Sequence, residues 1–190
     1  PELISRAKEN SLDAIVITDH DTLSHSKQLP EHSGIRVTAG IEISAFDYEK
    51  NFRVHILGYN IRNIDLIEKT VRPTLEARHE NSIKQIGILN QYGYEIDINE
   101  LRKADGKYIY KQHIMENLVR RKKADEMFGN FYYSTFKNGG ICAFDIRYIS
   151  PLEALKAIKN SGGLAVLAHS GQQQNFSLIP ENTLKSILCS

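Results

Sequence analysis

Four short apolar runs, each carrying or followed by an imidazole or a carboxyl group, constrain the fold of this 190-residue chain more than any other feature. They cover residues 13–18, 35–44, 52–59 and 164–168. The first run is continuous, which is typical of a strand buried on both faces of a parallel sheet, and the last run is also interpreted as a buried strand, whereas residues 52–59 alternate apolar with polar side chains. Helical patterns precede the first run and the last one, so the sequence predicts an α/β fold.

The stretch between the third and fourth runs has a different character, because apolar residues recur there at helical spacing. Pro73 is placed at the start of a helix, and further helical stripes follow at residues 75–89, 114–119 and 127–136. We therefore predict a helical insertion. The predicted division is residues 1–63 for the first part of the sheet domain, 64–149 for the insertion and 150–190 for the continuation of the sheet domain.

The composition argues against several classes of partner. The 24 Lys and Arg residues against 23 Asp and Glu give a formal net charge of +1, which offers little attraction for duplex DNA or an anionic membrane. No apolar run approaches the roughly 20 residues that span a bilayer. The two cysteines, Cys142 and Cys189, suggest neither a disulfide framework nor a cysteine-rich zinc site, so we expect a reducing, cytoplasmic location.

The residues with the most distinctive chemistry lie on or after the predicted strands. His20 follows the first run, Glu42 lies within the second, His55 lies within the third and His169 comes directly after the fourth. The carboxyl ends of parallel strands meet at one edge, where α/β barrels place their reacting groups. Three imidazoles and one carboxylate suit zinc, manganese or iron, and a carboxylate can bridge two ions.

These residues also have simpler structural interpretations. His20 could lie in a loop whose next residues, Asp21 and Thr22, cap a helix. His55 could be a surface or core histidine of an alternating strand. Glu42 is harder to explain alone, since a buried carboxylate is costly unless it is paired or bound to a cation.

Weaker signals lie in the predicted insertion. His113 and Glu116 could bind a metal from one helix face, but such pairs are common by chance. The basic residues 120–123 are interpreted as a solvated helix end, and the aromatic residues 128–136 as the apolar stripe of a helix. The sequence contains neither a glycine-rich phosphate loop nor a nucleophile elbow.

Four motifs carry a resemblance to a known family. They are Thr18-Asp19-His20-Asp21-Thr22, Gly40-Ile41-Glu42-Ile43-Ser44, residues 54–59 and residues 162–169. In this order the chain resembles the PHP (polymerase and histidinol phosphatase) superfamily. With a helical insertion between the third and fourth motifs, it is similar to the branch of nucleoside 3′,5′-bisphosphate phosphatases and 5′-to-3′ exoribonucleases.

The resemblance implies a distorted (β/α)7 barrel with up to three divalent metal ions, of which this chain would form an incomplete part. The matching metal ligands are His20, Glu42 as a bridging ligand, His55 and His169. A segment that helps bind the substrate phosphate matches here with Lys111 in place of the family's arginine, and with His113 kept. The family's opening His-x-His strand, its Ser-Asp-Gly loop and its closing Asp-x-His have no counterpart in these residues, so we expect a fragment.

The function that the resemblance implies is divalent-metal-dependent hydrolysis of phosphate monoesters or diesters of nucleotides or short RNA ends, such as 3′,5′-bisphosphonucleotides. Manganese is the first candidate ion, with iron, zinc or magnesium as alternatives. His113 is the candidate catalytic residue, protonating the leaving group. Two alternatives stay open: a catalytically inactive PHP fragment that acts as an interaction module, and a histidinol-phosphatase-like enzyme. Exposed barrel edges favour a homo-oligomer.

Overall fold

The computed structural model of the protein describes residues 2–25, 34–105 and 108–170, with the backbone alone for residues 102–105. In chain order the elements are α1 (Glu2–Glu9), β1 (Ala14–Ile17), β2 (Arg36–Asp47), β3 (Phe52–Tyr59), α2 (Ile64–Gln91), α3 (Ile98–Asp105), α4 (Lys111–Arg120), α5 (Asn130–Phe136), α6 (Pro151–Asn160) and β4 (Leu164–Leu167). This is a mixed α/β fold, as predicted. Cys189 lies outside the described residues.

By its internal contacts the chain divides into two compact units. The first comprises Pro1–Pro73 and Tyr148–Ser190 and carries the described sheet, and the second is Thr74–Arg147, which is helical. Among the described residues, no helix combines the length and the apolar character needed to cross a membrane. The three-segment domain division remains a prediction from the sequence.

The strands of the described residues form one open sheet in the order β1-β2-β3-β4. β1 pairs with β2 in parallel, whereas β2 with β3 and β3 with β4 pair antiparallel. The predicted parallel sheet is therefore correct for the first pair and wrong for the others. Residues 48–51 alone connect β2 to β3, and so short a connection makes a hairpin, because a parallel crossover needs a dozen residues or more. The seven-stranded barrel remains a prediction.

The two faces of the sheet differ in what they carry. Ile41, Ile43 and Ala45 alternate along β2 and are buried. α6 packs against β2, β3 and β4, and its Ile158 lies against Gly58, the register partner of Ile41. Side chains alternate between the faces of a strand, so residues 42 and 44 point to the face opposite α6. This second face holds the candidate site.

The outer strands β1 and β4 are not buried on both faces, contrary to the prediction from their apolar sequences. Val16 is 37% exposed, and Leu164 and Val166 are 65% and 38% exposed. Each of these strands has one neighbour in the described sheet. Along both strands exposed residues alternate with partly buried ones, so within the described part of the chain one face of each strand is covered more than the other.

The start of α6 confirms the predicted helix signal at Ser150-Pro151. The Ser150 hydroxyl accepts a hydrogen bond from the Glu153 amide, while the Ser150 amide donates to the Glu153 carboxylate over 2.8 Å. This capping box satisfies amide groups that have no partner within the helix. Pro151 occupies the first turn, where its missing N–H costs nothing.

Helix α2 continues through a proline, a residue that usually starts or ends a helix. It begins at Ile64 and passes through Pro73, so the prediction that Pro73 starts a helix is wrong. A proline inside a helix removes one backbone hydrogen bond. The helix continues because Ile67, Val71 and Leu75, on one side of the helix and on both sides of Pro73 in sequence, are buried.

The second unit has its own apolar core, which comes mainly from α2, α4 and α5 and includes Leu89, Ile114, Leu118 and Phe136. The buried Gln85 side-chain nitrogen donates a hydrogen bond to the Cys142 carbonyl over 2.8 Å, whereas the Gln85 side-chain oxygen is buried without a hydrogen-bond partner among the described residues. The apolar residues that recur at helical spacing in this part of the sequence thus form the core of the second unit.

Candidate metal centre

The parallel pairing of β1 and β2 places His20 beside Glu42. The register sets Ile17 opposite Ala39 and continues beyond β1 to a bridge between His20 and Glu42. Two backbone hydrogen bonds make this bridge, from the Glu42 amide to the Asp19 carbonyl and from the Asp21 amide to the Glu42 carbonyl, both over 3.0 Å. Because partners in a sheet share a face, both side chains project to the same side.

His55 lies at the same edge of the sheet, on a strand that runs antiparallel to β2. It lies in the first half of β3, and its register partner on β2 is Ser44, two residues beyond Glu42. The sequence argument put all four candidates at the carboxyl ends of parallel strands, which is wrong for His55. The hairpin reverses β3, so its amino half lies at the edge where β1 and β4 end.

His169 lies two residues after the end of β4, where the backbone is no longer extended. The preceding Ala168 amide donates a hydrogen bond to the His55 carbonyl over 3.0 Å, which holds the end of β4 beside β3. His169 itself has a positive φ of 34°. Non-glycine residues rarely adopt such a conformation, and it turns the His169 side chain towards the cluster.

One carboxylate oxygen, Oε1 of Glu42, is the common neighbour of all three imidazoles. It lies 2.9 Å from Nδ1 of His55, 3.3 Å from Nε2 of His169 and 3.8 Å from Nε2 of His20. The His55 Nδ1 and His169 Nε2 atoms are 3.0 Å apart. Side chains separated by up to 149 positions in the sequence therefore meet in one cluster.

The cluster is only partly shielded from water. The side chain of Glu42 is 17% exposed and that of His20 is 52% exposed. Burial lowers the pKa of His55 below its ordinary value of 6.5, and the neighbouring imidazole of His20 lowers it further, while the Glu42 carboxylate opposes the shift. The neutral form of His55, which is the form that binds metal, is favoured.

The donor set fits a divalent metal ion. His20, Glu42 and His55 each offer a ligand atom, and these atoms lie within 4.8 Å of one another. Metal–donor bonds of about 2.0–2.2 Å place adjacent donors of one ion about 3–3.5 Å apart. The distances among Glu42, His55 and His169 are in this range. Imidazole nitrogens with a carboxylate oxygen suit zinc, manganese or iron.

The two predicted substrate-binding residues, Lys111 and His113, lie in the second unit, at the start of α4. Nδ1 of His113 accepts a hydrogen bond from the Tyr110 amide over 3.1 Å, so the proton of the neutral ring is on Nε2. Lys111 Nζ lies 5.3 Å from the ring centre of Phe136 and 5.8 Å from that of Tyr132. Their roles towards a substrate remain predictions.

Sequence reasoning missed the structural role of Asp21, for which it considered only the cap of a helix as an alternative. In the structure the Asp21 carboxylate accepts a hydrogen bond from the Ser44 amide over 2.7 Å. It also missed the ion pair between Asp19 and His25. Both aspartates flank His20 in the Thr-Asp-His-Asp-Thr motif, and the density of polar residues there was the available signal.

A cluster of imidazoles and a carboxylate at the edge of an α/β sheet is typical of metal-dependent hydrolases. No family model matches the chain. It is, however, 37% identical over 187 residues to the phosphoribosyl 1,2-cyclic phosphate 1,2-diphosphodiesterase of Eggerthella lenta, a match that covers 95% of this chain and 71% of that protein. It is 29% identical over 187 residues to the 5′-3′ exoribonuclease Rnm of Salmonella typhimurium, of which it spans 59%.

Solved structures agree on the fold. A protein of Bifidobacterium adolescentis described as a metal-dependent phosphoesterase superposes with a TM-score of 0.81 at 22% identity, over 99% of this chain and 68% of that one. An amidohydrolase of Chromobacterium violaceum superposes with a TM-score of 0.73 at 19% identity, over 98% of this chain and 65% of that one. The identity to the E. lenta enzyme establishes the family: this chain belongs to the PHP-type phosphoesterases, hydrolases that act on ester bonds.

Proposed function

We propose that His20, Glu42, His55 and His169 bind a divalent metal ion at which a phosphoester is hydrolysed. One observation carries the proposal: three imidazole nitrogens lie within 3.8 Å of the same Glu42 oxygen. Manganese remains the first candidate ion, and iron, zinc or magnesium are alternatives. A bound divalent ion would polarise the phosphoryl oxygens and lower the pKa of a coordinated water.

The residues of the chain then have separate tasks in the proposed reaction. Glu42 supplies the negative charge that offsets part of the charge of the cation, and its central position allows it to contact more than one ion. His55 stays neutral because it is partly buried, so it is available as a nitrogen donor near neutral pH. Lys111 is proposed to bind a phosphate oxygen. His113 is proposed to donate the Nε2 proton to the leaving group from its imidazolium form, which requires Nδ1 to take up a proton and release the Tyr110 amide.

The relatives suggest two classes of phosphoester for this chain. The more similar one is named for a cyclic phosphodiester of a phosphorylated ribose, and the less similar one for RNA that is degraded from its 5′ end. We propose a phosphorylated ribose ester as the substrate, with the cyclic phosphoribosyl diester as the first compound to test. Nucleoside 3′,5′-bisphosphates and short RNA 5′ ends, which the sequence resemblance favoured, are the second class.

The decisive experiment follows substrate loss and the products formed, by chromatography and ³¹P NMR, for the protein expressed from its complete coding sequence, after chelation and reloading with one ion at a time. The panel is phosphoribosyl 1,2-cyclic phosphate, 3′-phosphoadenosine 5′-phosphate, a 5′-phosphorylated RNA oligomer and histidinol phosphate. We expect metal-dependent turnover of the first compound above the others. Preference for histidinol phosphate would select the histidinol-phosphatase alternative.

The inactive-module alternative has a distinct outcome in the same experiment. If no ester is hydrolysed with any ion, while calorimetry shows that the protein binds the ion, the cluster has a structural role and the enzyme proposal is wrong for this chain. Glu42→Gln tests the role of Glu42 itself, since this variant keeps the size of the side chain but removes its charge. Turnover retained by Glu42→Gln would exclude Glu42 from the proposed role.

A further inference from the structure

Along one edge of β2, a side-chain carboxylate accepts a hydrogen bond where a neighbouring strand would supply a backbone carbonyl. In the second half of β2, the amides of residues 42, 44 and 46 have partners outside the β2–β3 ladder. Glu42 donates to the Asp19 carbonyl over 3.0 Å, and Phe46 donates to the Ile149 carbonyl over 2.9 Å. Between them, Ser44 donates to Oδ1 of Asp21 over 2.7 Å. A carboxylate thus takes the position that a backbone carbonyl would hold in a continuous strand.

The backbone at Asp21 explains why a side chain is needed there. Its φ is +56°, in the left-handed region, so the chain turns away from β2 directly after His20. Asp and Asn adopt this conformation more readily than other non-glycine residues. Asp21 and Ser44 are 0% and 1% exposed, so an unpaired Ser44 amide would be buried without a partner. The hydrogen bond is therefore well protected from water.

This hydrogen bond connects the elements that carry three candidate ligands. Asp21 directly follows His20, and Ser44 lies two residues after Glu42 on the same strand. Ser44 is also the register partner of His55 on β3. The Asp21 carboxylate therefore attaches the His20 segment to the two strands that carry Glu42 and His55.

We propose that Asp21 is a positioning residue, which fixes His20 beside Glu42 and thereby sets the metal affinity of the cluster without binding the ion. The inference rests on the proposed metal centre. Residues that hold metal ligands in place typically change metal affinity by about 10–100-fold when they are replaced. The same range is expected for loss of the Asp21 acceptor.

Three substitutions separate the acceptor from the backbone conformation. Asp21→Asn keeps an oxygen acceptor and tolerates the positive φ, Asp21→Gly tolerates φ but has no acceptor, and Asp21→Ala has neither advantage. Asp47→Ala is the matched control: the Asp47 carboxylate accepts hydrogen bonds from the Glu49 and Lys50 amides in the hairpin that follows β2, and not from the amide of Ser44.

The first measurement is Mn²⁺ affinity by calorimetry, with the visible spectrum of the Co²⁺-loaded protein as a signature of ligand geometry. We expect Asp21→Gly and Asp21→Ala to weaken Mn²⁺ binding about 10–100-fold and to change the Co²⁺ spectrum. Asp21→Asn should stay near the wild type, and Asp47→Ala should lower the melting temperature alone. Wild-type affinity in Asp21→Gly, or equal losses in Asp21→Asn and Asp21→Gly, would overturn the proposal.

A second measurement needs no metal and keeps the two proposals distinguishable. In the metal-free protein, Asp21→Gly should shift the imidazole NMR signals of His20 and accelerate exchange of the Ser44 amide, whereas Asp21→Asn should not. If these changes occur but the wild type binds no divalent ion, the positioning role holds in the fold and the metal centre is wrong. If the wild type binds the ion and neither signal changes, the positioning role is wrong.

Discussion

Glu42 is the residue on which the chemistry of the cluster depends. A carboxylate on an inner strand is costly to desolvate unless a cation or hydrogen-bond donors compensate. Here one oxygen lies close to three imidazoles, and the remaining exposure of the side chain is 17%. The residue type and its place in an apolar run predicted a compensated carboxylate, and the structure identifies the neighbours.

Replacing Glu42 by Gln tests the metal role at the level of binding. We expect the divalent metal affinity to fall at least about 100-fold, because the substitution removes the charged donor and leaves three neutral nitrogens. Equilibrium dialysis with elemental analysis measures the effect. The control is Glu49→Gln, which removes an exposed carboxylate of the hairpin turn. Equal affinities of the wild type and Glu42→Gln would contradict the assignment.

The lowered pKa of His55 predicts a pH dependence of stability in the metal-free protein. As the pH falls through about 6.5, this imidazole takes up a proton in the unfolded chain, whereas burial keeps it neutral in the folded chain until a lower pH. The unfolded state therefore binds more protons, and the contribution of His55 to stability is lost as the pH falls below about 6.5.

Urea denaturation at pH 7.5 and at pH 5.5 measures this dependence. The free energy of unfolding should decrease between the two values, and the decrease should be smaller in His55→Asn, which cannot titrate. The comparison with the variant isolates His55 from the other histidines. A decrease of the same size in both proteins would show that His55 is not the cause.

Among the elements, the packing of β1 against β2 depends on a glycine. A Cβ atom at Gly40 would lie 2.4 Å from Cγ1 of Val16 and 2.9 Å from the Gly58 carbonyl oxygen. Neither distance is tolerated without a shift of the strands. Since the β1–β2 register brings His20 to Glu42, a glycine at this position supports the site as well as the sheet.

Gly40→Ala should therefore destabilise the protein by about 1–3 kcal/mol, the usual cost of overpacking. The matched control is Gly87→Ala in α2, where an added Cβ meets nothing within 4 Å. That substitution should stabilise the helix by about 0.5–1 kcal/mol. Thermal and urea unfolding of both variants provide the test, and a neutral or stabilising Gly40→Ala would mean that the strands are farther apart than described.

For the molecule as a whole, the outer strands of the described sheet predict self-association. Val16 on β1 and Leu164 and Val166 on β4 are exposed apolar side chains on strands that have one neighbour each in the described sheet. Exposed edges with apolar residues favour pairing with another chain. The homo-oligomer expected from the sequence thus remains a prediction with identified residues.

Light scattering coupled to size exclusion, over a range of protein concentrations, measures this association. Leu164→Lys combined with Val166→Lys should reduce it, because charged residues on an edge strand oppose pairing. Leu152→Lys, on an exposed position of α6, should leave it unchanged. A monomer at every concentration for the unsubstituted protein would exclude association through these edges.

Local features were predictable because they depend on residues close together in the sequence. The strand over Phe52–Tyr59 and the cap of α6 at Ser150 follow from alternation and from capping chemistry, both of which act within a few residues. Lys111 and His113 belong to a helix that the pattern indicated, but pattern says nothing of what a side chain binds. Pro73 shows the limit, since buried neighbours kept a helix through a residue that normally ends one.

By itself the sequence determined which residue types are available for metal chemistry and which segments form strands or helices. The tertiary structure alone decided the direction of β3, the register that sets His20 opposite Glu42, and the positive φ that turns His169 into the cluster. Strand pairing is a contact between distant segments and is selected by packing and backbone hydrogen bonding together. A list of candidate ligands becomes a site only when those long-range pairings bring one carboxylate oxygen within reach of three imidazoles.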